Sequence, residues 1–341
     1  MIRAAALALA VSVAAWAEDK DSGFNQAVGR LESFVRSREV KPLDEEPSWA
    51  ENDGAPLVRF VQYSDIHHNK GGHDADLARA IEFTNAQIKP DWVVCTGDNI
   101  SGPYTEAHHK ELKGILDGEL KCPYYIIKGD NDERDFETVF GSSRWSFDCA
   151  GVHFIGVGLD NDAEGIGIGY LDGSTYSWLA KDLREHKDEP TVFFMHVNMV
   201  PPDFLDAPRL GAVLSLRRNL VATVTGHLHM DLEERVGQVT HIIAPAIGPN
   251  PRHGIKLYEV HEDHITVKTY DVVDGRYAFA NKWQEIPFPK RLRADAGKGK
   301  AVVEYAAADP LPTTWSPGLV AFDAGARDWL GRLYRLVGGG K

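Results

Sequence analysis

Five runs of apolar, β-favouring residues in this chain each lead into a short segment carrying carboxylate or imidazole side chains. Residues 57–63 lead into Asp65-Ile66-His67, and residues 92–95 into Gly97-Asp98-Asn99. Residues 124–127 lead into Gly129-Asp130-Asn131-Asp132, residues 192–195 into His196, and residues 221–225 into Gly226-His227-Leu228-His229. Short continuous apolar runs read as strands buried on both faces. Polar side chains just beyond successive buried strands gather at one rim of an α/β sheet. That ordered series restricts the fold more than any single motif within it.

Between the runs the period changes to that of helices. Residues 74–89 place Leu77, Ala80, Ile81 and Ile88 on one face before Pro90, and residues 174–187 place Trp178, Leu179 and Leu183 inward. Residues 152–159 read as a further strand. Beyond His229 the helical period stops, and residues 239–244, 254–260 and 265–270 read as successive antiparallel strands. The expected architecture is α/β, a pair of mixed sheets with helices packed outside. This domain is expected over residues 57–286. Residues 18–56 would form an amphipathic helix (18–40) and a connector with three prolines. Residues 287–341 would form a C-terminal extension with one last helix over 321–337.

Composition limits the partners. Net charge is −13 over 341 residues, which disfavours a bulk grip on nucleic-acid phosphates or anionic lipid. The first 17 residues read as an export signal: Arg3, an apolar stretch over 4–15, and Ala15-Trp16-Ala17 before Glu18. This twelve-residue stretch falls short of the roughly 20 apolar residues needed for a membrane span. A secreted or periplasmic location is therefore expected. Of three cysteines, Cys95 lies in a buried run, Cys122 and Cys149 could pair, and none sits in a Cys-x-x-Cys zinc pattern. Nothing in the sequence sets an oligomeric state.

Asp65, His67, Asp98, Asp130, His196, His227 and His229 are seven candidate metal ligands from five loops. Oxygen and imidazole donors without thiolate suit two divalent ions of manganese, iron or zinc. The ordered blocks resemble the calcineurin-like metallophosphoesterases: Asp-x-His, Gly-Asp, Gly-Asn-His-Asp/Glu, a lone His, then Gly-His-x-His. The resemblance implies a four-layer α/β/β/α sandwich. It implies Asp65, His67 and His229 on one metal, Asp130, His196 and His227 on the other, with Asp98 bridging. It also implies that a metal-bridging hydroxide hydrolyses phosphate esters, with Asn131 and His196 bordering the phosphate as catalytic residues. Asn99 and Asp132 read as partners that orient ligands. His68, His108 and His109 fall outside the pattern and read as solvated positions.

The third block departs from the family pattern twice. Asp130 stands for the family's Asn ligand, so three carboxylates and a hydroxide would cancel two divalent charges and weaken the pull on an anionic phosphate. Asn131 stands for a His placed near the leaving group, and an amide supplies no titrating proton. His68, His73 or His253 could take over that duty. The expected activity therefore favours phosphodiesters or esters with good leaving groups, on a small phosphorylated substrate. Loops 161–173 and 199–210 would rim the site, admitting an aromatic group or packing over it. The competing expectation is a metal-binding but catalytically silent scaffold. A metal-dependent amidohydrolase fits less well, because those enzymes carry His-x-His after the first strand.

Overall fold

The computed structural model describes residues 33, 37–50, 53–71, 73–102, 104–132, 135–162, 169–200, 204, 206–248, 253–295, 297 and 304–305. The export signal, most of the 18–40 helix and the 321–337 helix lie outside these residues. Arg38 and Val40 at the edge of that segment are tied to the main sheet. Arg38 pairs with Glu234 at 3.3 Å, and the Val40 N–H donates to the Asp231 carbonyl at 2.8 Å.

Two mixed sheets face each other. The first has six strands in the order β14 (Arg276–Pro287), β13 (His264–Val273), β12 (Gly254–Val260), β1 (Val58–Tyr63), β2 (Trp92–Thr96) and β3 (Tyr124–Ile127). Here β1, β2 and β3 are parallel, while β12, β13 and β14 are antiparallel. The second has seven: β10 (Leu232–Val236), β11 (Val239–Ile243), β9 (Leu220–Thr225), β8 (Thr191–Phe194), β5 (Val152–Val157), β4 (Arg144–Cys149) and β15 (Glu304–Tyr305). Its strands β5, β8, β9 and β11 are parallel. A two-stranded ribbon, β6 (Asn161–Asp162) with β7 (Gly169–Tyr170), stands apart.

Strand alternation sorts side chains into three apolar layers, because successive side chains point to opposite faces. Phe60, Trp92, Val94, Phe154, Val192 and Phe194 meet between the sheets. Val61, Tyr63, Val93 and Cys95 face outward under α1 (His73–Phe83) and α2 (Glu106–Glu119) through Leu77, Ile81, Leu112 and Leu116. Ile155, Val157 and Phe193 face the other way under α4 (Gly173–Glu185) and α5 (Ala207–Ser215) through Leu179, Leu183, Leu210 and Leu214. The short α3 (Phe136–Phe140) adds Phe136 to the α1–α2 side. The result is an α/β/β/α sandwich. Within the inter-sheet core Phe60 stacks between Trp92 and Tyr258, with centroids 4.2 and 4.5 Å away.

Three local expectations change. The α-helix expected over 74–89 ends at Phe83 and widens into a π turn (Thr84–Ile88), ended by Lys89 at φ 50°. The strand expected over 239–244 does not continue into an antiparallel run with β12. It pairs parallel to β9 in the other sheet, and the chain then crosses over. Apolar alternation marks a strand without saying which sheet takes it. The core also runs past Pro287, since Phe288, Leu292 and Ala294 are buried between the sheets and β15 pairs with β4. All three cysteines are free thiols. Among the described residues no helix is long and apolar enough to cross a membrane.

Candidate metal centre

The parallel strands of both sheets end at one rim, and all seven ligand candidates sit just beyond those ends. Asp65 and His67 follow β1, Asp98 follows β2, Asp130 follows β3, His196 follows β8, and His227 and His229 follow β9. The loops are laced together by backbone hydrogen bonds. The Asp65 N–H donates to Gly97 O (3.1 Å), the His67 N–H to Asp98 O (2.9 Å), and the Gly226 N–H to His196 O (2.9 Å). Five of the seven candidates hold a left-handed backbone: Asp65 (φ 51°), His67 (48°), Asp98 (51°), His227 (64°) and His229 (52°). Such conformations are uncommon outside glycine and cost of order 1 kcal/mol each, so the surrounding loops must enforce them.

The side chains converge in two groups. In the first, His229 Nε2 lies 3.0 Å from Asp65 Oδ1 and 3.3 Å from His67 Nε2. In the second, Asp130 Oδ1 lies 3.1 Å from His196 Nε2 and 3.2 Å from His227 Nδ1. Asp98 stands between them, with Oδ1 3.2 Å from His196 Nε2 and Oδ2 3.7 Å from His67 Nε2. Each group therefore offers one ligand atom per residue at separations an ion can span.

Three atoms at the focus, Asp65 Oδ1, Asp130 Oδ1 and His196 Nε2, are buried without a hydrogen-bond partner. Their outer atoms are committed. The Asp65 Oδ2 accepts from the Ser64 hydroxyl (2.6 Å) and the His227 N–H (3.1 Å). The His196 Nδ1 faces the Thr96 carbonyl at 2.8 Å, which places the proton on Nδ1 and turns the Nε2 lone pair inward. Buried orphaned donors and acceptors are rare unless something satisfies them, and this oxygen-and-imidazole set fits divalent cations.

The electrostatics agree. Burial would raise Asp65, but the His229, His196 and His67 imidazoles outweigh it and hold the carboxyl far below its ordinary range. Asp130 is held low against burial by His227 and His196. His196 is pushed well above its ordinary value despite burial, by Asp98, Asp130 and Asp65. For His67 burial prevails, and its pKa falls. The cluster thus carries excess negative charge that a proton on His196, or a cation in its place, offsets.

Asn131 lies against the central carboxylate. Its Nδ2 donates to Asp98 Oδ2 (2.5 Å) and its N–H to Asp98 Oδ1 (3.0 Å), while its Oδ1 accepts from the Tyr104 hydroxyl (2.8 Å). Asp132 accepts from the N–H groups of Gly129, Asn99 and Ile100 and from Asn99 Nδ2, so it organises two ligand loops at once. Burial and the nearby Asp98 charge push Asp132 up to about 7 against those bonds.

The histidines outside the pattern are not all solvated. His68 is buried, with Nδ1 2.7 Å from Asp74 and Nε2 3.6 Å from Glu111, and His109 is buried against Phe136 and Phe140. Only His108 is part-exposed. His73 is buried, its ring centroid 6.1 Å from that of His67, and His253 Nδ1 faces the Ile247 carbonyl (3.0 Å). Of the rim loops, Met199 and Phe204 pack into the core under α4 and α5, and residues 163–168 lie outside the described set. Sequence reading missed Ser64 and Tyr104. Ser64 had a local signal, since it directly precedes Asp65, whereas Tyr104 reaches Asn131 only through the fold.

Residues 58–231 match the family of calcineurin-like phosphoesterases. No curated protein matches the chain. Among solved structures, a dimetal phosphatase from Danio rerio is similar at 11% identity and a TM-score of 0.57, over 69% of this chain and 100% of that one. GAP50, described as the anchor in the inner membrane complex of Plasmodium, is similar at 12% identity and a TM-score of 0.51, over 68% of this chain and 89% of that one. At these identities the likeness is one of fold.

Proposed function

The chain belongs to the calcineurin-like phosphoesterase family, and on that premise we propose that it is a secreted, metal-dependent hydrolase of small phosphate esters. The observation that carries this reading is the convergence of seven donors from five strand ends, three of them with buried orphaned atoms. Asp65, His67 and His229 would hold one divalent ion, Asp130, His196 and His227 a second, and Asp98 would serve both. Manganese, iron or zinc bound there supplies Lewis-acid polarisation of the phosphoryl group and a water of lowered pKa.

The chain's own residues do the rest. The Thr96 carbonyl fixes the His196 tautomer. Asn131 holds the Asp98 carboxylate with its backbone N–H and one Nδ2 hydrogen, and its second Nδ2 hydrogen is left to donate to a phosphoryl oxygen. Asn131 supplies no proton to the departing oxygen, so phosphodiesters and esters with good leaving groups are favoured over alkyl monoesters. The net charge of −13 favours a small substrate over a nucleic acid.

Asn131 also supports a second reading, a silent metal-binding scaffold, and GAP50 is a protein of this fold described as an anchor. The experiment is hydrolysis of an aryl phosphodiester and the matching monoester by the manganese-loaded chain, with Asp98→Ala as control. Turnover that vanishes in the control supports the hydrolase. Absence of turnover with both metals present favours the scaffold.

A further inference from the structure

A second convergence of imidazole and carboxylate lies at the far end of the six-stranded sheet. Asp53 comes from the connector before β1, His261 follows β12, and His264 opens β13. Because β1 and β12 are antiparallel with Val58 opposite Val260, His261 lies beside the start of β1, whereas Asp65 follows its end. Six strand residues at about 3.3 Å each put roughly 20 Å between the two places.

The ring nitrogens and the carboxylate lie close together. The rings stack with centroids 4.7 Å apart and planes 10° apart. His261 Nδ1 faces the Asp53 backbone carbonyl at 3.1 Å, and His264 Nδ1 faces Asp263 Oδ1 at 2.9 Å. A carbonyl and an ionised carboxylate only accept, so each Nδ1 carries a proton, and a neutral ring keeps its lone pair on Nε2. Both Nε2 atoms are buried without a hydrogen-bond partner. They lie 3.1 Å (His264) and 3.9 Å (His261) from the Asp53 carboxylate oxygens. His261 is only 6% exposed. Burial first and His264 second lower its pKa.

Two imidazole nitrogens and a carboxylate oxygen within 4.8 Å of one another repel each other while the rings are neutral, unless a cation lies among them. Ligand atoms about 2.0–2.1 Å from a tetrahedral ion stand about 3.3 Å apart, close to the 3.1 Å between His264 Nε2 and Asp53, with His261 Nε2 slightly farther out at 3.9 Å. Imidazoles that ligate metal also typically donate their other N–H to a carbonyl or carboxylate, as both do here. A nearby group makes a useful contrast. His153 sits among Asp148, Asp182 and His186 but spends both ring nitrogens on carboxylates, at 2.7 and 2.8 Å. Both nitrogens of that ring are hydrogen-bonded, so the group is an ion-pair knot, whereas neither Nε2 of His261 and His264 has a hydrogen-bond partner.

We propose that Asp53, His261 and His264 form a further metal site, separate from the centre at the strand ends, that takes one zinc-class divalent ion. The site has a structural role: it clamps the connector to the β12–β13 turn, where the Leu57 N–H already donates to Val260 O (2.8 Å) and the Thr266 hydroxyl to Asp53 Oδ2 (2.9 Å).

The test uses the full chain, charged with zinc and freed of excess, with metal counted per chain. His261→Gln and His264→Gln should each hold one zinc fewer than the parent, with phosphoesterase activity unchanged. That difference does not depend on how many ions the principal centre keeps. An unchanged count would overturn the site. Should a variant fail to fold, crystals of the parent grown with a few equivalents of zinc decide. An anomalous peak at the zinc edge bounded by Asp53 and the two Nε2 atoms is expected, and a map without one overturns the proposal.

Discussion

Asn131 is tied on three sides, to both oxygens of Asp98 and to the Tyr104 hydroxyl, so its amide is a fixed donor rather than a mobile one. An imidazole at that position could protonate a departing alkoxide, and general acids are worth about 100- to 10,000-fold. Asn131→His is therefore expected to raise kcat for an alkyl phosphate monoester by about 100-fold or more, with little gain on an aryl diester. Equal gains on both, in side-by-side steady-state kinetics, would contradict this account of Asn131. His153 supports a prediction independent of metal. Burial lowers its pKa, but hydrogen bonds to Asp148 and Asp182 outweigh that and lift it to about 9. A histidine raised above its ordinary 6.5 contributes stability fully below that value and loses it as pH rises through about 9. Asp148 is 37% exposed at its side chain, which screens its share, and about 2 kcal/mol is expected. Urea unfolding in chelator should show that fall between pH 6.5 and 9, and Asp182→Asn should flatten it.

The ligand loops work as elements because small residues let them touch. A Cβ on Gly97 would meet His196 at 2.7 Å, and the residue has φ +93°, which L side chains rarely adopt. Gly97→Ala is expected to cost about 3 kcal/mol in the metal-free chain, from overlap plus backbone strain. It should also weaken metal binding by displacing His196, read by urea unfolding and by competition with a chelator. Gly226 is equally hemmed in, by Ser64 and Asp65. These glycines were visible in the motifs as letters, but the neighbours that require them were not. The same limit applied to helices. The periodic faces at 74–89 and 174–187 were legible, whereas α2, with Thr105 as its N-cap accepting from the His108 N–H, was not read.

At the scale of the whole molecule, the centre joins loops from both sheets, so ions bound there would link the two halves of the sandwich. Ligands that bind only the folded state stabilise it by mass action. Divalent metal at about 100 times its dissociation constant should add about 2.7 kcal/mol, seen as a higher Tm. Chelation should remove both that increment and the activity, and Asp98→Ala should show no rise from that centre. The sequence by itself determined the chemistry of the rim: which strands are buried on both faces, and which donors follow each of them. Both are local facts, carried by side-chain type and by spacing along the chain. Only the tertiary structure decided what meets what. It sent β11 to β9 rather than to β12, brought Tyr104 to Asn131, and set Asp53 against two histidines more than 200 residues away. Those contacts depend on sheet pairing and crossover, and the local periodicity of the chain carries no record of either.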